Sequence, residues 1–333
     1  MMRLGLKVAI GLCIVIAAAT HRLGLAAPED AANYPTKAVR VVVPLGPGSA
    51  VDVLTRIFTQ RLGEVWGQQF VVDDRPGAAG MVGTQAVSKA QPDGYTLLVT
   101  TNAPLTTHFA MYRKLDYSWE DFEPIMVVAQ LPVVLMVNPG QGINSVSDLL
   151  AHSKRTPGGL AVATTGNGSI GHFVISEMQR KLGASFLNVP YKGGPAGIAA
   201  VSTGEVAVGV LDTGAAMSFI RDGRVRALGI VAEQRATALP DVPTLAELGI
   251  PGADIIAWVG FVAPKGTPKE IVQKLSAETA RALKDPQVRQ RIIVAVAGVQ
   301  LGDGSTPENF AVFLRSEVAR WRQRVQDAGL KLE

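Results

Sequence analysis

Residues 164–172 read TTGNGSIGH, and Gly166, Gly168 and Gly171 take the spacing of a dinucleotide-binding turn. One change, Asn167 to glycine, would also make the Gly-x-Ser-x-Gly elbow that presents a nucleophilic Ser169. Both chemistries demand more. A dinucleotide turn needs an acid about twenty residues on to hold the ribose hydroxyls; Val189, Pro190 and Tyr191 stand there. A serine nucleophile needs a histidine and an orienting acid. The only histidine after Ser169 is His172, and no third group is identifiable. A third reading needs neither. An apolar run at 160–163 ends in a glycine turn, and a helix begins with Ser169 as candidate cap. The first N–H groups of a helix lack internal partners and face a partial positive charge, so such an end binds an anion without a lysine. Taken alone, the loop is better read as a capped helix that binds nothing.

The loop is not alone. Residues 44–52 (PLGPGSAVD) repeat the arrangement: an apolar run, a turn at Pro47 and Gly48, and a helix start at Ser49 and Asp52. Residues 100–107 (TTNAPLTT) and 191–195 (YKGGP) are two more polar segments that follow apolar runs. In parallel α/β sheets the strand C-terminal ends face the ligand crevice. Four such ends could converge on one cleft whose donors are backbone N–H groups and neutral side chains, a set suited to a small carboxylate.

The elements that would position them follow a strand–helix rhythm. Strands are expected at 40–45, 70–72, 96–100, 133–137, 160–163, 186–189, 206–211, 226–231 and 258–263, and helices at 51–65, 81–90, 146–152, 170–182, 195–203 and 215–221. Three further helices, 268–283, 286–296 and 307–328, follow the last strand. Alternation with short turns implies parallel sheets flanked by helices. Two such halves and a helical tail suggest a bilobal chain, connected by strands near Pro132 and Trp258.

Composition narrows the setting. Arg3 and Lys7 precede an apolar run at 8–19 and small residues up to Ala27, the pattern of a cleavable secretory leader over 1–27. Cut sites are expected after Ala19 or near Ala26–Ala27. An uncleaved anchor is the alternative, and a lipoprotein modified at Cys13 is disfavoured by Leu12 before it. The chain carries 32 basic and 28 acidic residues; losing Arg3, Lys7 and Arg22 leaves 29 against 28. The high pI therefore owes much to the leader, and no nucleic-acid partner is expected. Cys13 is the only cysteine, so the exported chain has no disulfide, thiolate metal site or cysteine nucleophile, and no metal or cofactor is expected.

Seven segments, in order, resemble one family: YPTKAVRVVVPLGPGSAVD (34–52), GQQFVVDDRPGAAGMVG (67–83), PDGYTLL (92–98), GNGSIGH (166–172), VPYKGG (189–194), LPDVPTLAELGIPG (239–252) and GFVAPKGTP (260–268). The chain resembles the Bug-type solute receptors of tripartite tricarboxylate transporters from about residue 34 to 329. The resemblance implies an α/β, two-lobed periplasmic binding protein of type II-like architecture, each lobe a mostly parallel sheet flanked by helices, with crossing strands as hinge. Lobe 1 would comprise 33–131 plus 259–333, and lobe 2 residues 132–258. It implies a monomer in the periplasm, not an enzyme, that captures a small organic carboxylate and delivers it to inner-membrane permease subunits; a ligand sensor for a membrane signalling protein is the alternative. Two loops would pinch the carboxylate: Pro47, Gly48, Ser49 and Asp52 in one, Gly166, Gly168, Ser169 and His172 in the other. Asn102, Thr107, Tyr191, Lys192 and Asp212 fall at strand ends near the family's pocket. Asp212 could accept from a ligand ammonium or hydroxyl or simply start a helix. Lys192 could pair a distal carboxylate or stay solvated, and Tyr191 could wall the pocket or pack in the core. The chain departs from the family style PFPPGG, here PLGPGS, and carries Asn188 where histidine is common, a change expected to be peripheral.

Overall fold

The computed structural model describes residues 31–232, 235–236, 238–250, 255, 257–296, 298–302 and 305–327. The leader expected at 1–27 lies outside the described residues. The chain divides into two units, Met1–Tyr34 and Pro35–Glu333. In the first, residues 31–33 form a turn; the second holds all that follows.

Two sheets organise it. The first contains β1 (Val39–Val43), β2 (Phe70–Asp74), β3 (Thr96–Thr101), β4 (Phe122–Gln130), β10 (Trp258–Pro264) and β11 (Gln300–Leu301), in the order β11-β4-β10-β3-β1-β2. The second contains β5 (Val133–Val137), β6 (Leu160–Thr164), β7 (Phe186–Pro190), β8 (Val208–Asp212) and β9 (Arg226–Val231), in the order β7-β6-β8-β5-β9. The two repeat one plan. A second strand lies outside the first, the third lies on its other side, and a strand running antiparallel separates the third from the fourth. In each sheet that antiparallel strand, β10 or β5, is the one whose chain arrives from the other sheet. This is why the parallel rhythm fails there; the short β11, antiparallel to β4, is the other exception.

The crossing strands are apolar along their length, as strands covered on both faces must be. All five residues of β5 (VVLMV) and all seven of β10 (WVGFVAP) are buried. The two crossings run side by side, where Leu131 N–H donates to Ala257 O at 2.8 Å; Pro132 O also accepts from Thr213 N–H, just beyond β8, at 3.1 Å. Strand β4 was not expected from sequence. Its Pro124, a poor ladder residue, pairs with Val262 beside a register shift that leaves Ile125 as the extra residue of a bulge.

The helices bury one face each. α1 (Ala50–Trp66) buries Leu54, Ile57, Phe58 and Leu62 and stops at Gly67, left-handed at φ 64°. Each such side chain contributes about 1.5–3 kcal/mol of apolar burial. The last helix, α11 (Pro307–Asp327), serves both sheets. Phe310 and Leu314 join the cluster of Val42, Leu98, Trp258 and Val262, while Trp321 and Val325 join that of Val162, Phe173, Val174 and Val208. Trp321 meets Phe173 edge-on at 5.2 Å, and Phe310 meets Trp258 edge-on at 5.6 Å. Among the described residues no helix is long and apolar enough to cross a membrane.

Candidate functional site

The two glycine loops share one hydrogen-bond pattern. In the first, Ser49 caps α1: its hydroxyl accepts from Asp52 N–H at 3.2 Å, Asp52 Oδ2 accepts from Gly48 N–H at 2.8 Å, and Ser49 N–H donates to Gly46 O at 3.2 Å. In the second, Ser169 caps α6 (Ile170–Leu182). Its hydroxyl accepts from His172 N–H at 3.2 Å, His172 Nδ1 accepts from Gly168 N–H at 3.1 Å, and Ser169 N–H donates to Gly166 O at 3.2 Å. The residue three after the cap thus reaches back to the amide before it, a reciprocal form of the capping box. A carboxylate does this in one loop and an imidazole in the other. Gly48 (φ 77°) and Gly168 (φ 74°) make the turn possible in the left-handed region.

This pattern bears on the serine-nucleophile reading. His172 meets Ser169 through its backbone N–H, and its Nδ1 is occupied by Gly168, so Nδ1 cannot take a proton from the serine. Gly171 has a packing role: a Cβ there would lie 2.5 Å from Val210 O on β8. What the loops leave open are helix-start amides. Among the described residues no acceptor reaches the N–H groups of Ala50, Val51, Ile170 or Gly171. Each serine oxygen accepts one bond from the helix, which leaves its proton to donate outward.

Surroundings hold the loops in place. Asp52 Oδ1 pairs with Arg56 Nε at 2.5 Å, and Arg56 also binds Asp74 at 2.6 Å. Burial, then the Asp52 charge, pushes the Asp74 carboxyl up. Asn188 was expected to be peripheral, but it buttresses the second loop: its Oδ1 accepts from Thr164 Oγ1 at 2.7 Å, and its Nδ2 donates to Asn167 Oδ1 at 3.0 Å. An amide can satisfy both partners at once, a constraint not visible before the β6–β7 pairing is known.

The sheets bring the remaining residues to their strand ends. β1 and β3 are parallel neighbours, so the loop with Pro47 and Gly48 and the segment beginning at Asn102 leave the sheet side by side. Asn102 opens α3 (Asn102–Leu105), and Thr107 precedes α4 (His108–Met111); both are buried. In the second sheet β7, β6 and β8 deliver Tyr191, the Gly166 loop and Asp212 to one edge. The two groups meet at Gly168: a Cβ there would lie 3.6 Å from Thr107 Cγ2 and from Met111 Cγ.

Among the described residues five buried threonine hydroxyls, those of Thr84, Thr100, Thr107, Thr213 and Thr279, have no hydrogen-bond partner. Buried hydroxyls are satisfied as a rule; of these five, Thr100 and Thr213 lie at strand C-terminal ends and Thr107 lies against Gly168. Thr100 and Thr213 were not singled out from sequence. Their only signal was position, a hydroxyl within a residue or so of a strand's C-terminal end.

Two expected residues make no hydrogen bond to the Ser49 or Ser169 caps. The Tyr191 hydroxyl donates to Glu205 at 3.1 Å, its ring lies against the cluster containing Ala163 and Ile198, and burial followed by Glu205 raises its pKa. Lys192 is exposed. Asp212 precedes α8 (Thr213–Arg221) without capping it.

Comparison with known proteins fits this geometry. The family described as "Tripartite tricarboxylate transporter family receptor" matches residues 54–330. The chain belongs to that family. Among receptor-family relatives, protein BugT of Bordetella pertussis is 35% identical over 312 residues, 93% of this chain and 95% of BugT. Two solved structures are similar: Rpa4515 of R. palustris with adipate, 32% identical with a TM-score of 0.83 over 90% of this chain and all of that one, and MatC of Rhodopseudomonas palustris with bound malate, 30% identical with a TM-score of 0.80 over 88% of this chain and all of that one. The two-sheet architecture is that of periplasmic binding proteins. Tricarboxylate-transporter receptors of this kind are solute-binding proteins.

Proposed function

We propose that this receptor captures a small organic carboxylate between its two lobes, residues 33–131 with 259–333 and residues 132–258, and hands it to the permease of a tripartite transporter. The observation that carries the reading is the duplicated cap: one helix start per sheet, each with a serine proton and first-turn amides available to an anion. Thr107, Asn102 and the unsatisfied hydroxyls of Thr100 and Thr213 would complete the donor set. Pro47, Gly48, Gly166 and Gly168 would shape the two turns, Asp52 and His172 would hold them, and Lys192 and Tyr191 would sit at the rim. Adipate and malate in related structures support the ligand class. The protein would act in the periplasm after removal of 1–27, as a monomer and without catalysis.

A thermal-shift screen of the chain lacking 1–27 tests the reading. Dicarboxylates, tricarboxylates, amino acids and aromatic acids should include at least one ligand that stabilises the fold. A ligand at a hundred times its Kd adds about 2.7 kcal/mol. At about 2–4 °C per kcal/mol for a large domain, the melting temperature should rise by roughly 5–10 °C. A flat response across the panel would refute the assignment.

A further inference from the structure

Asp212 ends β8, and among the described residues its carboxyl has no cation at ion-pair distance. Among the described residues no ion pair or side-chain hydrogen bond engages it, and it does not cap the helix it precedes. Burial pushes its pKa up, its own backbone N–H pulls it down, and no charged neighbour contributes in either direction. Lys192, on the loop between β7 and α7 (Gly194–Thr203), is therefore not its counter-ion. The contrast with Asp52, held by Arg56 and by Gly48 N–H, is direct.

The fold nevertheless makes room for this carboxyl. α7 begins with Gly194, and a Cβ there would lie 2.6 Å from Asp212 Oδ2. The helix is bare where the carboxyl rests. Asp212 also lies close to the anion-binding end of α6. The first turn of α6 sits on Val210, since a Cβ on Gly171 would touch Val210 O. Val210 is two residues before Asp212 on the same strand, about 7 Å along it. That spacing puts the acid within reach of a substituent next to a carboxylate held at the start of α6.

Resting on the carboxylate reading above, we propose that Asp212 sets the receptor's specificity, selecting carboxylates that carry an ammonium group next to the carboxylate. Amino acids are then the preferred ligand class over plain di- and tricarboxylates. An ammonium supplies the missing counter-charge. A hydroxyl supplies one hydrogen bond, and a second carboxylate brings a like charge.

Calorimetric titration with matched ligands tests this. Three skeletons are used: four-carbon (succinate, malate, aspartate), six-carbon (adipate, 2-hydroxyadipate, 2-aminoadipate) and aromatic (phenylpropionate, phenyllactate, phenylalanine). In whichever skeleton binds, the ammonium member should be at least tenfold tighter than the unsubstituted acid, with the hydroxyl member between them. Asp212→Asn should bring the three within about twofold, and Gly194→Ala, which keeps the charge but displaces it, should also narrow the ratio. An unsubstituted acid as tight as its amine, or a preference that survives Asp212→Asn, overturns the role of Asp212 and leaves the carboxylate reading standing. No binding in any series removes that reading and this inference with it.

Discussion

Replacing Ser169 separates the two tasks assigned to it. Its hydroxyl oxygen caps α6 by accepting from His172 N–H at 3.2 Å, and its proton is assigned to the ligand. Ser169→Ala should lose both. Loss of a cap costs typically about 1 kcal/mol, or about 2–4 °C in melting temperature for a protein of this size. Loss of a hydrogen bond to a charged ligand costs about 1.5–3 kcal/mol, a factor of roughly 10 to 150 in Kd. Ser169→Gly distinguishes the two, because glycine at a cap is worse than serine by only a few tenths of a kcal/mol. It should melt within a degree or so of the wild type yet bind about tenfold or more weakly by calorimetry. Ser49→Gly should behave alike, since the first loop has the same bonds. If Ser169→Gly binds as tightly as the wild type, the hydroxyl serves the helix alone and the shared design of the two loops is structural.

Gly168→Ala should destabilise by about 1–2 kcal/mol, the cost of a left-handed alanine, and should weaken binding as well, because the new Cβ would lie against Thr107 and Met111; unchanged affinity with a lowered melting temperature would place the contact outside the site. His108 is buried with neither ring nitrogen bonded, and burial lowers its pKa to about 4. A folded-state pKa below the unfolded value gives stability that is present above about pH 6.5 and lost as pH falls through about 4. That loss is about 3 kcal/mol, so His108→Phe should flatten the acid limb of a pH–stability curve, and an unaltered limb would contradict the assignment. Asp212 shifts the other way: burial raises its pKa, so its contribution is present at low pH and lost as pH rises through the folded value. Asp212→Asn should therefore melt higher than the wild type at neutral pH without ligand, with the gap closing in acid; a lower melting temperature at neutral pH would show that the carboxylate is compensated.

Much of this was legible in the chain because local rules and global fold agree. Strands such as VVLMV and helices that open on Ser49 and Ser169 announce themselves by run length, spacing and cap. The capping serines could be named before any coordinates because glycine before serine, with an acceptor three residues on, is a local signal. Strand β4 was not legible, since Glu123 and Pro124 disguise its start, and Pro124 sits beside a bulge. The partners of Asn188, Tyr191 and Asp212 were not legible either. Each depends on which strands lie side by side, and a hydrogen bond from Asn188 to a loop 21 residues away has no trace in spacing. Thr100 and Thr213 looked like ordinary strand-end residues until their burial left hydroxyls with nothing to bind.

The most direct measurement is a crystal structure of the receptor with the ligand that gives the largest thermal shift. The account predicts one carboxylate within about 3.2 Å of donors from both cap loops, the Ser49 or Ala50–Val51 side and the Ser169 or Ile170–Gly171 side, directly or through a single bridging water. A ligand seated away from either helix start, or held by only one of them, would contradict it.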